Sequence, residues 1–415
     1  MTKYRQTLHA AIFAALSLLL LYALHLLPIN QLFIDPFSEA IKHHDVMDVS
    51  FSKFRNHNKP ELFDKNIIII NSGITDREKL ANTINLVNAR GSKAIGLDLI
   101  LDTLYEKHSD TLLRDALQNA NDKIVLGFTL NELSKQITMN VNLHSLPFFC
   151  NGLKQGYVNL ATNDGFSVRA FVPYLITSNE RIPAFSTQLA SMLDSNIQKI
   201  LKYRNNNTEW INFRRVQPGK SSMIYPINRK KAVHYILMEM DKFIADSSLY
   251  DSSFFKDKIV LIGFCGETEN SLSMNDRYFT PLNEQYTGRS LPDMFGVVIH
   301  ANIISMLLDK DFIEEFYISL IYLIAFLISF INYFCFKGII QKYRFMQRLY
   351  VRLFQILEFL FFFSTAIIIL AFWNWKLSFF FIATTIILSF ELFHIYESKL
   401  HDHFDKWISK KGFRL

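Results

Sequence analysis

The sequence predicts an α/β domain with a mixed or mostly parallel sheet, held between membrane-spanning α-helices, one before it and three after it. Three observations carry this. Apolar runs long enough to cross a bilayer lie toward the two ends of the 415 residues. Between them, short β-branched runs alternate with amphipathic stretches. Lys and Arg gather beside the apolar runs, not on a face of the central region.

The first span is residues 8–28, after a short N-terminus of residues 1–7 that carries Lys3 and Arg5. A cleaved signal peptide competes with this reading. The run is long for a signal, and no small-x-small cleavage site follows it, so an uncleaved anchor is favoured. Further spans are expected over 316–336, 353–373 and 377–396, the last two joined by the turn 374–376. Trp373 and Trp375 suit a membrane–water interface. The loop 337–352 carries Lys337, Lys342, Arg344, Arg348 and Arg352 with no acidic residue, and the tail 397–415 is also rich in Lys. Excess positive charge marks the cytoplasmic side. Both termini and this loop are therefore expected in the cytoplasm, and residues 29–315 outside it.

That central region reads as one folded unit. Residues 66–71 form a β-branched strand, and 77–89 have helical spacing with Leu80, Ile84 and Val87 on one face and Gly91 at the end. Residues 94–100 give a second strand, and this β-α-β order favours a parallel pair. A helix over 111–119, a strand over 123–128, a strand over 258–263 and a helix over 297–308 follow.

The formal charge of +6 raises nucleic acid, but the basic clusters flank apolar spans and no reading module is present, so nucleic acid is excluded as a partner. Cys150, Cys265 and Cys335 are too few for a disulfide framework or zinc site. Cys150 and Cys265 either pair or remain free buried thiols. No phosphate-binding loop, dinucleotide fingerprint, nucleophile elbow or zinc-protease motif occurs, so no enzyme is expected and no cofactor is implied. His43, His44, Asp45 and Asp48 could ligate a metal, as could His401, Asp402, His403 and Asp405; a polar juxtamembrane face is the better reading of both.

Asp98 ends a strand, where open α/β sheets form their ligand crevice. It could bind a small cationic ligand or accept from nearby backbone amides. Asp164 precedes Gly165 and reads first as a turn; Arg169 could pair with Asp98 or Asp164. These three are the candidate ligand-binding residues. His300 and Asn302 open the last helix and would tie the domain to the second span, structurally or as a signalling connection. Glu358 and Glu391 lie inside the third and fourth spans, where carboxyls invite functional suspicion. Both sit toward the basic ends, so pairing with Arg352 or Lys399 is weighed above conduction.

The order of several segments resembles the type-two CHASE domain, a cyclase- and histidine-kinase-associated sensory extracellular domain. The likeness runs from Phe51 to Phe312. It rests on Phe51-Ser52-Lys53-Phe54-Arg55, the glycine-led strand from Gly91 to Asp98, and Gly156-Tyr157-Val158-Asn159. The run Asp164 to Arg169, the run Trp210 to Arg214, Phe255 to Gly263 and Phe295 to Asn302 complete it. The family's first strand usually ends in Ile-Asp, where Asn71-Ser72 stands here, and its tryptophan-proline segment is absent. The resemblance implies one anchor, a sensory domain and about three further spans, in a bacterial inner membrane with the domain periplasmic or extracellular. Its members usually carry a cytoplasmic output enzyme; here a stand-alone form is expected. The expectation is a non-enzymatic sensor or transmission subunit. It would bind an unidentified small ligand or envelope partner and dock a cytoplasmic or membrane protein through Lys337, Lys342, Arg344, Arg348, Arg352 and the tail. Homo-oligomers are left open. A structural component of a membrane complex is the alternative, with a channel or transporter subunit behind it.

Overall fold

The computed structural model describes residues 3–26, 45–54, 62–74, 76–130, 141–160, 167–176, 181–216, 233–267, 273–283, 291–343 and 345–410. The chain divides into two compact units, Lys42–Ile313 and a second one made of Met1–Ile41 with Glu314–Leu415.

The Lys42–Ile313 unit is built on an eight-stranded sheet. Its strands are β1 (Leu62–Asn71), β2 (Ala94–Asp98), β3 (Ile124–Leu130), β4 (Val141–Leu143), β5 (Lys154–Tyr157), β6 (Arg215–Val216), β7 (Val233–Glu239) and β8 (Ile259–Gly263). The order is β6-β7-β1-β8-β2-β3-β4, with β5 also on β3. Only the β3–β4 pairing is antiparallel. Ile67 to Ile70 of β1 are completely buried, as expected of a strand covered on both faces.

The β1–helix–β2 segment does not make an adjacent pair. β8, from nearly two hundred residues later, inserts between them, pairing Ile67 with Ile259 on one side and Ala94 with Ile259 on the other. The local order gives both strands their direction, but a distant strand can take the place between them without any local signal.

On one face, α3 (Arg77–Ala89), α4 (Lys107–Asn119) and α6 (Met240–Ala245) cover Ile68, Ile70, Ile95 and Leu97. The Asp76 side chain caps α3 by accepting from the amides of Glu78 and Lys79. Leu80, Ile84 and Val87 point inward, and Gly91, at φ +80°, takes the left-handed turn beyond the helix. α5 (Phe185–Leu193) and α7 (Gly296–Asp309) lie on the opposite face. A Cβ on Gly96 would come within 2.8 Å of Phe185 and 2.6 Å of Leu189, so the lack of a side chain permits this packing. α2 (Val46–Lys53) begins with a capping box between Asp45 and Asp48.

The other unit holds four helices long and apolar enough to cross a membrane: α1 (Lys3–Leu26), α8 (Ile318–Lys342), α9 (Gln347–Trp373) and α10 (Phe379–Ile395). α1 packs on α8 and α10 around Phe13, Tyr333, Phe336, Phe390, Phe393 and Tyr396. Asn374, at φ 60°, turns the α9–α10 hairpin. A π-helical turn, Tyr396–Leu400, leads from α10 into the tail helix α11 (His401–Lys410).

Candidate functional site at the carboxyl edge of the sheet

Parallel strands deliver their carboxyl ends to one edge, and there the polar residues of the Lys42–Ile313 unit collect. Asn71 ends β1, Glu239 ends β7, Gly263 ends β8 and Asp98 ends β2. Asn71 is fully engaged: its Nδ2 donates to Glu239 at 2.9 Å and to the Gly266 carbonyl at 3.0 Å, while its Oδ1 accepts from the amides of Cys265 and Gly73. It fixes the loops after β1 and β8 to the end of β7. A cleft of about 620 Å³ opens on this side, lined in part by Ser72, Lys79, Glu239, Asp241, Lys242 and Glu267. Lys79 pairs with Asp241 at 2.8 Å across its exposed rim. Ser72 Oγ is buried with no hydrogen-bond partner among the described residues.

Asp98 lies two strands away from β1 and is not part of that lining. It is half-buried against Gly263, where a Cβ would come within 3.2 Å of the Asp98 Cβ. Burial pushes its carboxyl up to about 7. Asp276 is exposed over the residue as a whole, but its carboxyl turns onto the first residue of α7, 2.9 Å from where a Gly296 Cβ would stand. Loss of hydration, and then the Asp98 charge, push it to about 7 as well. Tyr278 is raised to about 12, by burial and then by Asp276. Buried Cys265, raised well above a usual thiol, senses Glu239, Asp276 and Asp98. Nothing in the sequence singled out Asp276, because it is a loop residue that feels the charge of a strand end far away along the chain.

Arg169 does not meet Asp98. It forms a two-pronged ion pair with Asp48, at 2.9 and 2.8 Å, and so ties α2 to the body of the unit. Asp48 is still held above the usual carboxylate range, because burial outweighs the Arg169 bonds. Asp45 and Asp48 thus act as cap and ion-pair partner. Asp164, His43, His44 and Arg344 lie outside the described residues. A second buried pair that the sequence did not disclose joins Arg77 and Asp110, and Tyr105 N also donates to Asp110 at 2.8 Å.

His300 and Asn302 both face inward. His300 Nδ1 lies 2.8 Å from Ser186 Oγ on α5, and the ring packs edge-on to Phe185. Burial lowers it to about 4, so it is neutral. Asn302 Oδ1 accepts from the Arg214 amide at 3.3 Å. The far end of α7 is clamped as well: Arg214 pairs with Asp311, and Asn212 donates to the Asp311 carbonyl at 2.8 Å. Cys150 and Cys265 are free thiols.

Among the helices of the other unit, Glu391 pairs with Arg352 and Glu358 accepts from Asn332 at 3.0 Å. Both carboxylates therefore make interhelical contacts. Lys337 approaches Glu397 at 3.8 Å, while Lys342 and Arg348 are exposed. Among the described residues, no group of three or more His, Cys, Asp or Glu is arranged to hold a metal ion.

No curated protein and no solved structure matches the chain. A protein-family match does exist: residues 41–333, more than half of the chain, match the CHASE2 domain. CHASE2 is a sensory domain of signalling proteins. With the mostly parallel sheet and the four apolar helices in place, the chain belongs to the CHASE2 family.

Proposed function

We propose that this protein is a non-enzymatic membrane sensor subunit. Its Lys42–Ile313 domain lies on the non-cytoplasmic side of a bacterial inner membrane, takes a small ligand at the carboxyl edge of the sheet, and reports to a separate cytoplasmic or membrane protein. The observation that carries this is the CHASE2 match, which spans the whole domain and continues into α8. The location of the ligand is supported by the cleft beside Asn71 and Glu239, with buried Ser72 Oγ on its wall. Transmission is supported by α7. It starts beside Asp276, ends at Asp309 before the clamped Asp311, and residues 310–317 lead on along the chain to α8. Exposed Lys342 and Arg348 give a partner a basic docking surface. The contacts of Glu358 and Glu391 support a structural role for both, ahead of a channel.

Two experiments test this. In intact cells, a membrane-impermeant maleimide should label Tyr203→Cys and leave Arg348→Cys unlabelled; the reverse pattern rejects the orientation. Crosslinking and purification of the full chain from native membranes should recover a recurrent protein attached near Lys342 or Arg348. Recovery of this chain alone, across detergents and crosslinkers, rejects a partner-dependent sensor.

A further inference from the structure

The cleft beside Asn71 carries an excess of one charge. Among the described residues it is lined by three carboxylates, Glu239, Asp241 and Glu267, and two ammonium groups, Lys79 and Lys242. The Lys79–Asp241 pair at the rim cancels one of each. Glu239 and Glu267 then stand against Lys242, and the excess is negative. Glu239 is also held in place. Asn71 Oδ1 accepts from the amides of Cys265 at 2.8 Å and Gly73 at 3.1 Å, which turns its Nδ2 toward Glu239 Oε2, 2.9 Å away. A carboxylate that accepts this bond keeps further acceptor sites for a ligand. Gly73, at φ +55°, lets the loops after β1 and β8 lie together: a Cβ there would stand 3.3 Å from the Glu267 carbonyl oxygen.

A second observation is independent of charge. Ser72 is 3 % exposed, and its amide donates to the Gly263 carbonyl at 2.9 Å, so its main chain is fixed. Its Oγ has no hydrogen-bond partner among the described residues. A buried hydroxyl without a partner is costly, and this one belongs to a residue on the wall of the cleft.

We propose that the cleft takes a small organic cation, whose ammonium group is neutralised by Glu239 and Glu267 and donates to Ser72 Oγ. This rests on the cleft being the ligand site and adds the class of ligand. An ammonium group has three N–H donors and no acceptor, which suits two carboxylates and a hydroxyl. Ser72 Oγ alone would serve an anion equally well, but the carboxylates would repel one. A volume of about 620 Å³ suits an organic molecule, and Ile74 and Met240 on the lining offer apolar contact to its hydrocarbon part.

Calorimetry on the full chain in phosphatidylcholine nanodiscs tests this, with empty nanodiscs as the blank and salt at about 0.15 M to screen loose surface attraction. The probes are putrescine, butanediol and succinate, which share a chain length and differ in charge. Putrescine alone should bind saturably. Glu239→Gln keeps the oxygen that Asn71 bonds but removes the charge, and should weaken putrescine about tenfold; Ser72→Ala should weaken it about threefold. Glu267→Gln alters an exposed side chain and should weaken it severalfold, even if Glu239→Gln fails to fold. No saturable putrescine binding below about 10 mM overturns the cation, as does equal binding by the wild type, Glu239→Gln and Glu267→Gln. Succinate or butanediol binding that Ser72→Ala weakens also overturns it, yet leaves a ligand cleft here. A probe that binds but is untouched by all three variants rejects the cleft itself as the ligand site.

Discussion

Asp48 and Asp110 are carboxylates pressed against arginines, Arg169 and Arg77, on the side of α2 and α4. Asp98 lies instead at the carboxyl edge of the sheet, raised by burial, and Asp276, in the loop at the start of α7, is raised by burial and then by the Asp98 charge. In the first region an arginine opposes the loss of water, only in part at Asp48, and its bonds make the carboxylates fixed ties. In the second, no opposite charge offsets burial at Asp98, a like charge adds to it at Asp276, and both carboxyls are raised to about 7. The difference separates carboxylates tied by an arginine from carboxyls whose burial raises them to about 7 near the start of α7.

The same substitution at the two regions should act in opposite directions. Asp110→Asn leaves Arg77 buried without its counter-charge and should cost about 3 kcal/mol, read as a lower thermal midpoint of the purified protein. A loss below about 1 kcal/mol would remove the distinction between the regions. His300→Ala should cost about 2 kcal/mol at neutral pH, since Ser186 loses a buried partner. His300 is lowered to about 4, so the unfolded state binds more protons between about pH 4 and 6.5. Its contribution is present above that window and is lost as pH falls through it; the variant should lose this part of the slope.

Asp98→Asn gives the smallest effect and the opposite sign. A carboxyl raised to about 7 binds its proton more tightly in the folded state, so the wild type loses stability as pH rises from about 4 to 7. The amide removes that loss. The variant should be more stable at about pH 8, on the order of 1 kcal/mol after allowance for solvent at this half-buried site, with little change at about pH 4. A thermal midpoint for Asp98→Asn below that of the wild type at pH 8 would show that the carboxylate is held by a stabilising contact.

Much of the framework was legible because its signals are local. The buried Ile67–Ile70 run, the spacing of Leu80, Ile84 and Val87, and the left-handed Gly91 each follow from a few neighbouring residues. Hydropathy likewise marked the four long apolar helices. Asp98 was legible as a strand end, but Asp276 was not: the loop that carries it is placed by packing on the first residue of α7. Arg169 was legible as a charge seeking a carboxylate, and the structure chose Asp48, because α2 folds back over it.

The sequence by itself determined several of the elements, the family and the four apolar helices, since periodicity, hydropathy and motif order are properties of contiguous residues, while β5, β7, α5 and α6 went unread. Only the tertiary structure decided that β8 separates β1 from β2, that Asp276 lies against the first residue of α7, and that His9 meets His401 nearly four hundred residues away. Strand order and side-chain encounters are set by the packing of distant segments, where many partners satisfy the same local pattern and close packing selects one.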